Sequence, residues 1–411
     1  MPITLIQLIS EETMQNLLPV LALRPARLVH LVTAKVSERS APIAAAARAS
    51  EIHADPETVP LSEMPSSRET FAAVRDAIRE VKASGGLPVV NFTGGTKLMS
   101  IGAFSAALQE KIPSLYVDTE HGHFIDGMTG DGIGGLLGGD LTFQALGSAL
   151  SVDSVALANG CPHVTKGKDW SKYIGLAEYF LTHREQERQC HEVLYGPNGL
   201  FPNGREPKKK KDWEAAANKP LALPQRAGDL GVSAGLLCGD DQGRFMLPNT
   251  GDVELWRFAV SFFTGAWWEV AVMRAANDAS IFSDLRWSAN FGAQSGSGKL
   301  EEDIVGLDGV QIAYISCKRS ASGNRPLPLL EEIESRARRI GGKYARKFLA
   351  IYLPIEPSLK ERVGQRADEL QIRVLCGDEI SRPASFARAN KDSAAVEQLQ
   401  SLTSARTAAR V

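Results

Sequence analysis

Over the first 128 positions the apolar residues come in short continuous runs, ITLIQLIS, RLVHLVTA, LPVVNF and LYVDT. Between them lie stretches such as TMQNLLPVLAL and Ser67 to Ala83, where apolar residues recur every three or four positions. Continuous runs alternating with amphipathic segments are the signature of buried parallel strands joined by crossover helices. The pattern predicts a Rossmann-like α/β domain over residues 1–128, ending in one more strand, HFIDGM.

Regularity then breaks at GDGIGGLLGGD, where glycines dominate. Residues 129–250 are expected to form a linker and mixed helical segment. LTFQALGSAL and SKYIGLAEYFLTH carry helical patterns, while YGPNGLFPNGREPKKKKDW reads as an exposed loop. The like-charged run Lys208 to Lys211 is read as part of that solvated loop.

Pattern returns from Asp252, in the long amphipathic stretch ELWRFAVSFFTGAWWEVAVMRAAND, interrupted at Gly265. Trp267 and Trp268 on such a helix are expected in the core. EEDIVGLDGVQIAYISCK then reads as a β-hairpin about the turn Leu307-Asp308-Gly309. A helix, a glycine stop and two strands follow, so residues 251–389 predict a second α/β domain and 390–411 a flexible tail.

Composition changes this picture little. The chain has 411 residues, 44% hydrophobic and 23% charged, as expected of a folded chain of two or three units. No apolar stretch approaches twenty residues and MPITLIQLISEE lacks a secretory layout, so the expectation is a cytoplasmic protein without a membrane partner. Five scattered cysteines with no CxxC spacing argue against disulfides or a zinc site, and His121 and His123 in EHGH lack a third zinc ligand. The net charge of -2 confines any polyanion site to a local patch.

Two stretches carry candidate chemistry. In NFTGGTKLMS a strand gives way to a helix through Thr93, Gly94, Gly95, Thr96 and Lys97. Paired glycines let backbone approach a ligand, free amides at a helix start favour an anion, and the hydroxyls and ammonium add donors. The spacing is neither GxxxxGK[ST] nor GxGxxG, so a noncatalytic phosphate cradle is the simpler inference. Ser10, Glu11, Glu12 and Thr13 after the first strand, and Thr33 and Lys35 after the second, converge on the same crevice, where open α/β sheets bind ligands.

In the hairpin, Asp303 and Lys318 meet if the two strands pair, with Ser316 on the lysine's face and Cys317 pointing away. Glu269, from WWEVAVM, supplies a second carboxylate. Asp303 and Glu269, with the backbone carbonyl of Cys317, would suit magnesium or manganese, and the lysine would meet water or phosphate. Glu302 and Asp308 are substitutes by position. Lys318, Arg319, Arg325, Arg336, Arg338, Arg339, Lys343, Arg346 and Lys347 form a local cationic excess that could track a nucleic-acid backbone.

A helix glutamate, Glu-Asp on one strand and xxK on the next resembles the PD-(D/E)xK restriction-endonuclease superfamily over Trp256 to Leu375. The family usually places an acid two residues before the lysine, where this chain has Ser316. LISEETMQNLLPVL, LVHLVTAK, NFTGGTKLMS and LYVDT resemble the CARF domain of type III CRISPR ancillary proteins. In that order, with xCK at the lysine, the two halves look like the CARF nucleases activated by cyclic oligoadenylate.

The resemblance implies a homodimer whose two-fold interface binds the cyclic oligoadenylate through Ser10, Glu11, Thr13, Thr33, Thr93, Gly94, Gly95, Thr96 and Lys97. It also implies a metal-dependent endonuclease acting on RNA and/or DNA, with Glu269, Asp303, Ser316 and Lys318 at the nuclease motif positions. A ligand-controlled nucleic-acid-binding regulator with a degenerate nuclease domain is the alternative that Ser316 leaves open.

Overall fold

The computed structural model describes residues 1–119, 121–130, 143–165, 167–292, 300–320 and 326–377. The glycine-rich 131–140, Arg325 and the tail from 378 lie outside them.

The N-terminal part runs β1 (Ile3–Leu8), α1 (Met14–Leu23), β2 (Arg27–Val32), α2 (Ser40–Ala49), β3 (Pro56–Pro60), α3 (Ser67–Ala83), β4 (Leu87–Asn91), α4 (Lys97–Glu110), β5 (Ser114–Asp118) and β6 (His123–Asp126). The strand order is β3-β2-β1-β4-β5-β6, parallel except for the β5–β6 pair. β1 lies between β2 and β4, with Leu5 opposite Leu28 and Val89, so its side chains are buried on both faces. That explains the unbroken apolar runs. β3 was not expected; PETVP has little apolar content because it is the edge strand and is mostly exposed.

α5 (Phe143–Gly147) and α6 (Val152–Ala158) lead into β7 (His163–Thr165). Next come α7 (Ile174–Thr182), α8 (Arg184–Tyr195), α9 (Lys210–Ala217), α10 (Gln225–Ser233), the short pair β8 (Cys238–Gly239) and β9 (Phe245–Met246), and α11 (Val253–Ser261). α12 (Trp267–Asp278), β10 (Asp284–Phe291), β11 (Leu300–Asp308), β12 (Gln311–Lys318), α13 (Pro326–Gly341), β13 (Arg346–Ile351), α14 (Pro357–Glu369) and β14 (Ile372–Cys376) complete the described chain.

The second sheet has the order β14-β13-β12-β11-β10-β7. β12, β13 and β14 are parallel, and β10, β11 and β12 antiparallel. The predicted hairpin is present, but its turn falls one or two residues later, on Gly309 and Val310, because Asp308 still pairs with Gln311. Gly309 takes φ 58°, the left-handed conformation such a turn demands.

The segment expected as linker and mixed helices packs into this second unit. Phe180, Trp213, Phe245 and Phe263 share one core with Trp267, Trp268, Ile315 and Ala350, on one face of the sheet. The exposed loop is also partly anchored, since Phe201 and Trp213 are buried while Lys208 to Lys211 stay exposed. α13 covers the other face, in a core that continues through α6 into α1, α2 and the first sheet.

Candidate functional sites

The first site sits where the strand order of the N-terminal sheet reverses, between the C-terminal ends of β1 and β4. Neighbouring crossovers leave on opposite faces there and open a crevice. After β4 the chain folds tightly over β1: a side chain at Gly94 would collide with the Leu8 carbonyl, and Gly95 takes φ 77°. Thr96 caps α4, its hydroxyl accepting from the Met99 amide at 3.3 Å, and Gly95, Thr96 and Lys97 are exposed. A cradle of amides with an ammonium beside it is therefore open to solvent at the start of a fourteen-residue helix.

The other candidates divide by what holds them. The Thr93 hydroxyl donates to Asn91 Oδ1 at 2.7 Å and accepts from the Val117 amide at 2.7 Å, so it braces the loop from inside. Ser10 closes its own loop through the Glu12 carbonyl (3.2 Å) and Asn16 (3.3 Å). Glu11 pairs with Lys35 at 2.7 Å, and that ion pair holds its carboxyl below the usual range. Thr33 is buried.

Beneath the crevice runs a buried polar chain that apolar patterning passes over: Ser40, His30, Gln7 and Asn91, linked at 2.7, 3.0 and 3.3 Å. Burial pushes His30 down to about 4, so the imidazole is neutral and acts as a fixed link. Gln7 and Asn91, polar inside apolar strand runs, were the signal available in the sequence.

Thr13 leads elsewhere. Its hydroxyl donates at 2.8 Å to Asn159 Oδ1, at the end of α6. Asn159 Nδ2 donates to the Ile340 carbonyl near the end of α13 (3.2 Å), and its own carbonyl accepts from Arg39 (3.2 Å). Glu12 accepts from the Lys343 amide at 3.3 Å. The loop after β1 is thus bonded to Asn159 across 146 residues, and through it to the helix that covers the second sheet, with no local sequence signal.

The second site forms where that sheet splays. Pairing of β11 with β12 begins at Ile304↔Ile315, and one residue earlier Asp303 fills the next ladder position with its carboxylate. Asp303 Oδ2 accepts from the Cys317 amide (2.7 Å), Lys318 Nζ (3.1 Å) and the Ser316 hydroxyl (3.3 Å). Asp303 also falls opposite Ser288, an unpaired position where the chain takes φ 52°. A left-handed serine inside a strand is strained, and such strain concentrates at functional positions. Because of it, Trp287 and Ala289 face opposite cores, as do Ile304 and Glu302.

Glu269, on the first turn of α12, accepts from Trp287 Nε1 at 2.8 Å. Burial, then repulsion from Asp303, pushes its carboxyl up to about 8, against the Trp287 hydrogen bond and the pull of Lys318. Burial lowers the Lys318 pKa, but Asp303 more than offsets this, so the ammonium stays charged. The Cys317 thiol is buried and driven up, and the contact of Cys317 with Asp303 runs through its amide. The structure therefore gathers Glu269, Asp303, Ser316 and Lys318 around one gap in the sheet.

The positional substitutes do not join them. Glu302 turns beneath α13 to Tyr314 and Arg336, and Asp308 sits at the far end of the hairpin with Arg346. The cationic excess is largely neutralised by Arg319–Glu187, Arg336–Glu302, Arg346–Asp308 and Lys347–Glu334 ion pairs. A charge count along the sequence does not assign these pairings, because each joins residues on different elements.

Among the described residues no three His, Cys, Asp or Glu side chains form a metal-binding group. Magnesium and manganese keep several waters and need only one or two carboxylates, so Glu269 and Asp303 fit such an ion. A carboxyl raised by burial and by a second carboxylate facing it is also one whose charge a cation would stabilise.

The raised Glu269 makes a testable statement about stability. Between about 4.5 and about 8 the folded state holds a proton the unfolded state has released, so stability falls as pH rises through that window. The slope from this group is at most ~1.4 kcal/mol per pH unit. Thermal midpoints from pH 5 to 8 should decline less steeply in Glu269→Gln than in the wild type; equal slopes would count against the raised carboxyl.

Several known proteins share this architecture. Can2 from Sulfobacillus thermosulfidooxidans, solved in complex with cyclic tetra-adenylate, superposes with a TM-score of 0.67 at 18% identity over 94% of this chain and 96% of that one. Protein VC1899 from Vibrio cholerae gives 0.71 at 14% identity over 94% and 97%. A type III CRISPR defence DNA nuclease activated by cyclic oligoadenylate gives 0.51 at 15% identity, over 86% of this chain and 47% of that one. At such identities the likeness is one of fold. No curated protein matches the sequence, and among the described residues no helix is long and apolar enough to cross a membrane. By sequence, residues 4–125 match the family model of the Card1 CARF domain.

Proposed function

We propose that the chain is a cyclic-oligoadenylate-activated, metal-dependent endonuclease of type III CRISPR defence, cutting RNA and/or DNA in the cytoplasm. The observation that carries this is a Card1-type CARF match over residues 4–125, joined to a second sheet that gathers Glu269, Asp303 and Lys318 at one splayed strand end.

The cyclic ligand presents phosphodiesters to the Gly94–Gly95 amides, Thr96 and Lys97. A ring with two-fold symmetry calls for the same patch from two subunits. α4 supports a homodimer: it is apolar on its outer face as well as its inner one, with Leu98 54%, Ile101 56% and Leu108 49% exposed. A helix apolar all round is normally covered.

At the second site Glu269 and Asp303 would hold magnesium or manganese, which supplies Lewis-acid stabilisation of the phosphoryl oxygens and an activated water. Asp303 orders the end of β12 through the Cys317 amide, and Lys318 carries a fixed positive charge toward the phosphate. Ser316, where an acid is usual, favours one rival reading, a ligand-controlled nucleic-acid-binding regulator that does not cut.

Coupling between the sites runs through contacts already described. Thr13 binds Asn159, Asn159 binds the end of α13, and Arg336 on α13 grips Glu302, next to Asp303. A ligand activates only if it binds the active arrangement better than the inactive one, typically by 1–3 kcal/mol.

The test is cleavage of labelled single-stranded RNA, single-stranded DNA and supercoiled plasmid, with manganese, with and without cyclic tetra-adenylate and its larger rings. Lys97→Ala should weaken ligand binding by about 10–100-fold, the value of a charged hydrogen bond. Asn159→Ala should leave ligand binding largely intact yet lower the activation factor about tenfold. No cleavage in any combination removes the nuclease claim, and retained nucleic-acid binding would then favour the regulator.

A further inference from the structure

Among the cations crowded into residues 318–347, Arg319 differs in how it is held. Its Nε and Nη2 donate side by side to the two carboxylate oxygens of Glu187, at 2.7 and 3.1 Å. Glu187 lies on α8 and its side chain is 2% exposed, whereas that of Arg319 is 22% exposed. A buried carboxylate persists only when paired, and here its charge is matched by a single side-on guanidinium. The pairing occupies one edge of the guanidinium. Among the described residues Nη1 has no hydrogen-bond partner, so a second edge with fixed orientation remains.

Position gives that edge a use. Arg319 directly follows Lys318, and its backbone carbonyl accepts from Leu353 (2.9 Å) just as that of Lys318 accepts from Tyr352 (3.1 Å). Its Cβ lies 4.0 Å from where a Gly265 side chain would begin, at the irregular turn that leads into α12 and Glu269. Arg336, Arg346 and Lys347 make their ion pairs at α13 or at the far end of the hairpin.

We propose that Arg319 binds the phosphodiester backbone of the nucleic-acid substrate beside the reacting group, with Glu187 as its positioning residue. Guanidinium geometry suits two phosphate oxygens, and a buried carboxylate fixes the direction in which that geometry is offered. The role also gives the segment between the two sheets a function: α8 reaches into the second sheet to aim one cation. This rests on the nuclease reading of the same site.

Arg319→Gln alone would strand a buried carboxylate and endanger folding, so the informative protein is the double variant Glu187→Gln with Arg319→Gln, which replaces the ion pair by an amide pair. The full-length protein is titrated with labelled single-stranded DNA and, in a separate arm, single-stranded RNA. EDTA prevents cleavage, cyclic tetra-adenylate is present, and salt runs from 50 to 200 mM. Losing one phosphate contact should reduce the slope of log affinity against log salt by about 0.7 on a single strand. The expected result is that reduction, with affinity about tenfold weaker at low salt and an unchanged thermal midpoint. Glu187→Gln alone should keep the slope and lose affinity. A double variant with wild-type slope and affinity overturns the assignment while leaving the nuclease reading intact. A wild type that binds neither strand also overturns the assignment, and the nuclease reading falls with it only where cleavage fails in every combination of ligand and substrate.

Discussion

Asp303→Asn is expected to abolish ligand-stimulated cleavage, by about 10²–10³-fold or more under single-turnover conditions, while cyclic-oligoadenylate binding stays at the wild-type level. The substitution suits the question because asparagine keeps an oxygen able to accept from the Cys317 amide, the shortest contact Asp303 makes. The strand end should therefore stay ordered. What is lost is charge: Lys318 loses the carboxylate at 3.1 Å, and one of two carboxylates for a divalent ion is gone. Two controls separate charge from structure. The thermal midpoint should move little, and Lys318→Ala should fail similarly. Full cleavage by Asp303→Asn would remove this gap in the sheet as the cutting site, whatever the ligand does.

Much of this arrangement was legible in the sequence because it is periodic. Unbroken apolar runs announced buried parallel strands, and EEDIVGLDGVQIAYISCK announced a hairpin that sets Asp303 near Lys318. The glycines of NFTGG were readable because close approach to β1 leaves no room for a side chain. Distortion was not legible. Regular alternation carries no sign that Ser288 turns left-handed opposite Asp303, and that irregularity is what sets Glu302 and Ile304, two residues apart, against opposite cores. Nor were the partners of the cations legible. Glu187 lies 132 residues before Arg319, in a segment whose composition suggested a connector.

The same limit shows at the crevice. Thr13 and Thr93 were grouped as equivalent hydroxyls because both follow strands. Yet Thr93 is spent bracing its own loop, whereas Thr13 is bonded across 146 residues to Asn159. Strand ends locate a crevice, but hydrogen-bond partners decide which polar groups remain for a ligand and which transmit its arrival.

Arg336→Ala should produce the largest loss of stability, about 3–5 kcal/mol, the usual result of removing one partner of a buried ion pair. Glu302 is 0% exposed, and its Oε2 accepts from Arg336 and from the Tyr314 hydroxyl, each at 2.9 Å. Among the described residues its Oε1 has no hydrogen-bond partner. Burial already pushes its carboxyl up, and Arg336 is the main influence holding it down. Without that guanidinium the carboxyl should rise further, so the loss should be greater at pH 8, where it must ionise, than at pH 5. The thermal midpoint should fall on the order of 10 °C. Glu302→Gln combined with Arg336→Met should recover most of it, because the buried charge and its partner leave together. The pair also sits one residue from Asp303 on the helix that Asn159 touches, so Arg336→Ala should blunt activation by ligand even where the protein remains folded. An unchanged midpoint at pH 8 would mean that Glu302 is not the buried, singly compensated charge that the structure presents.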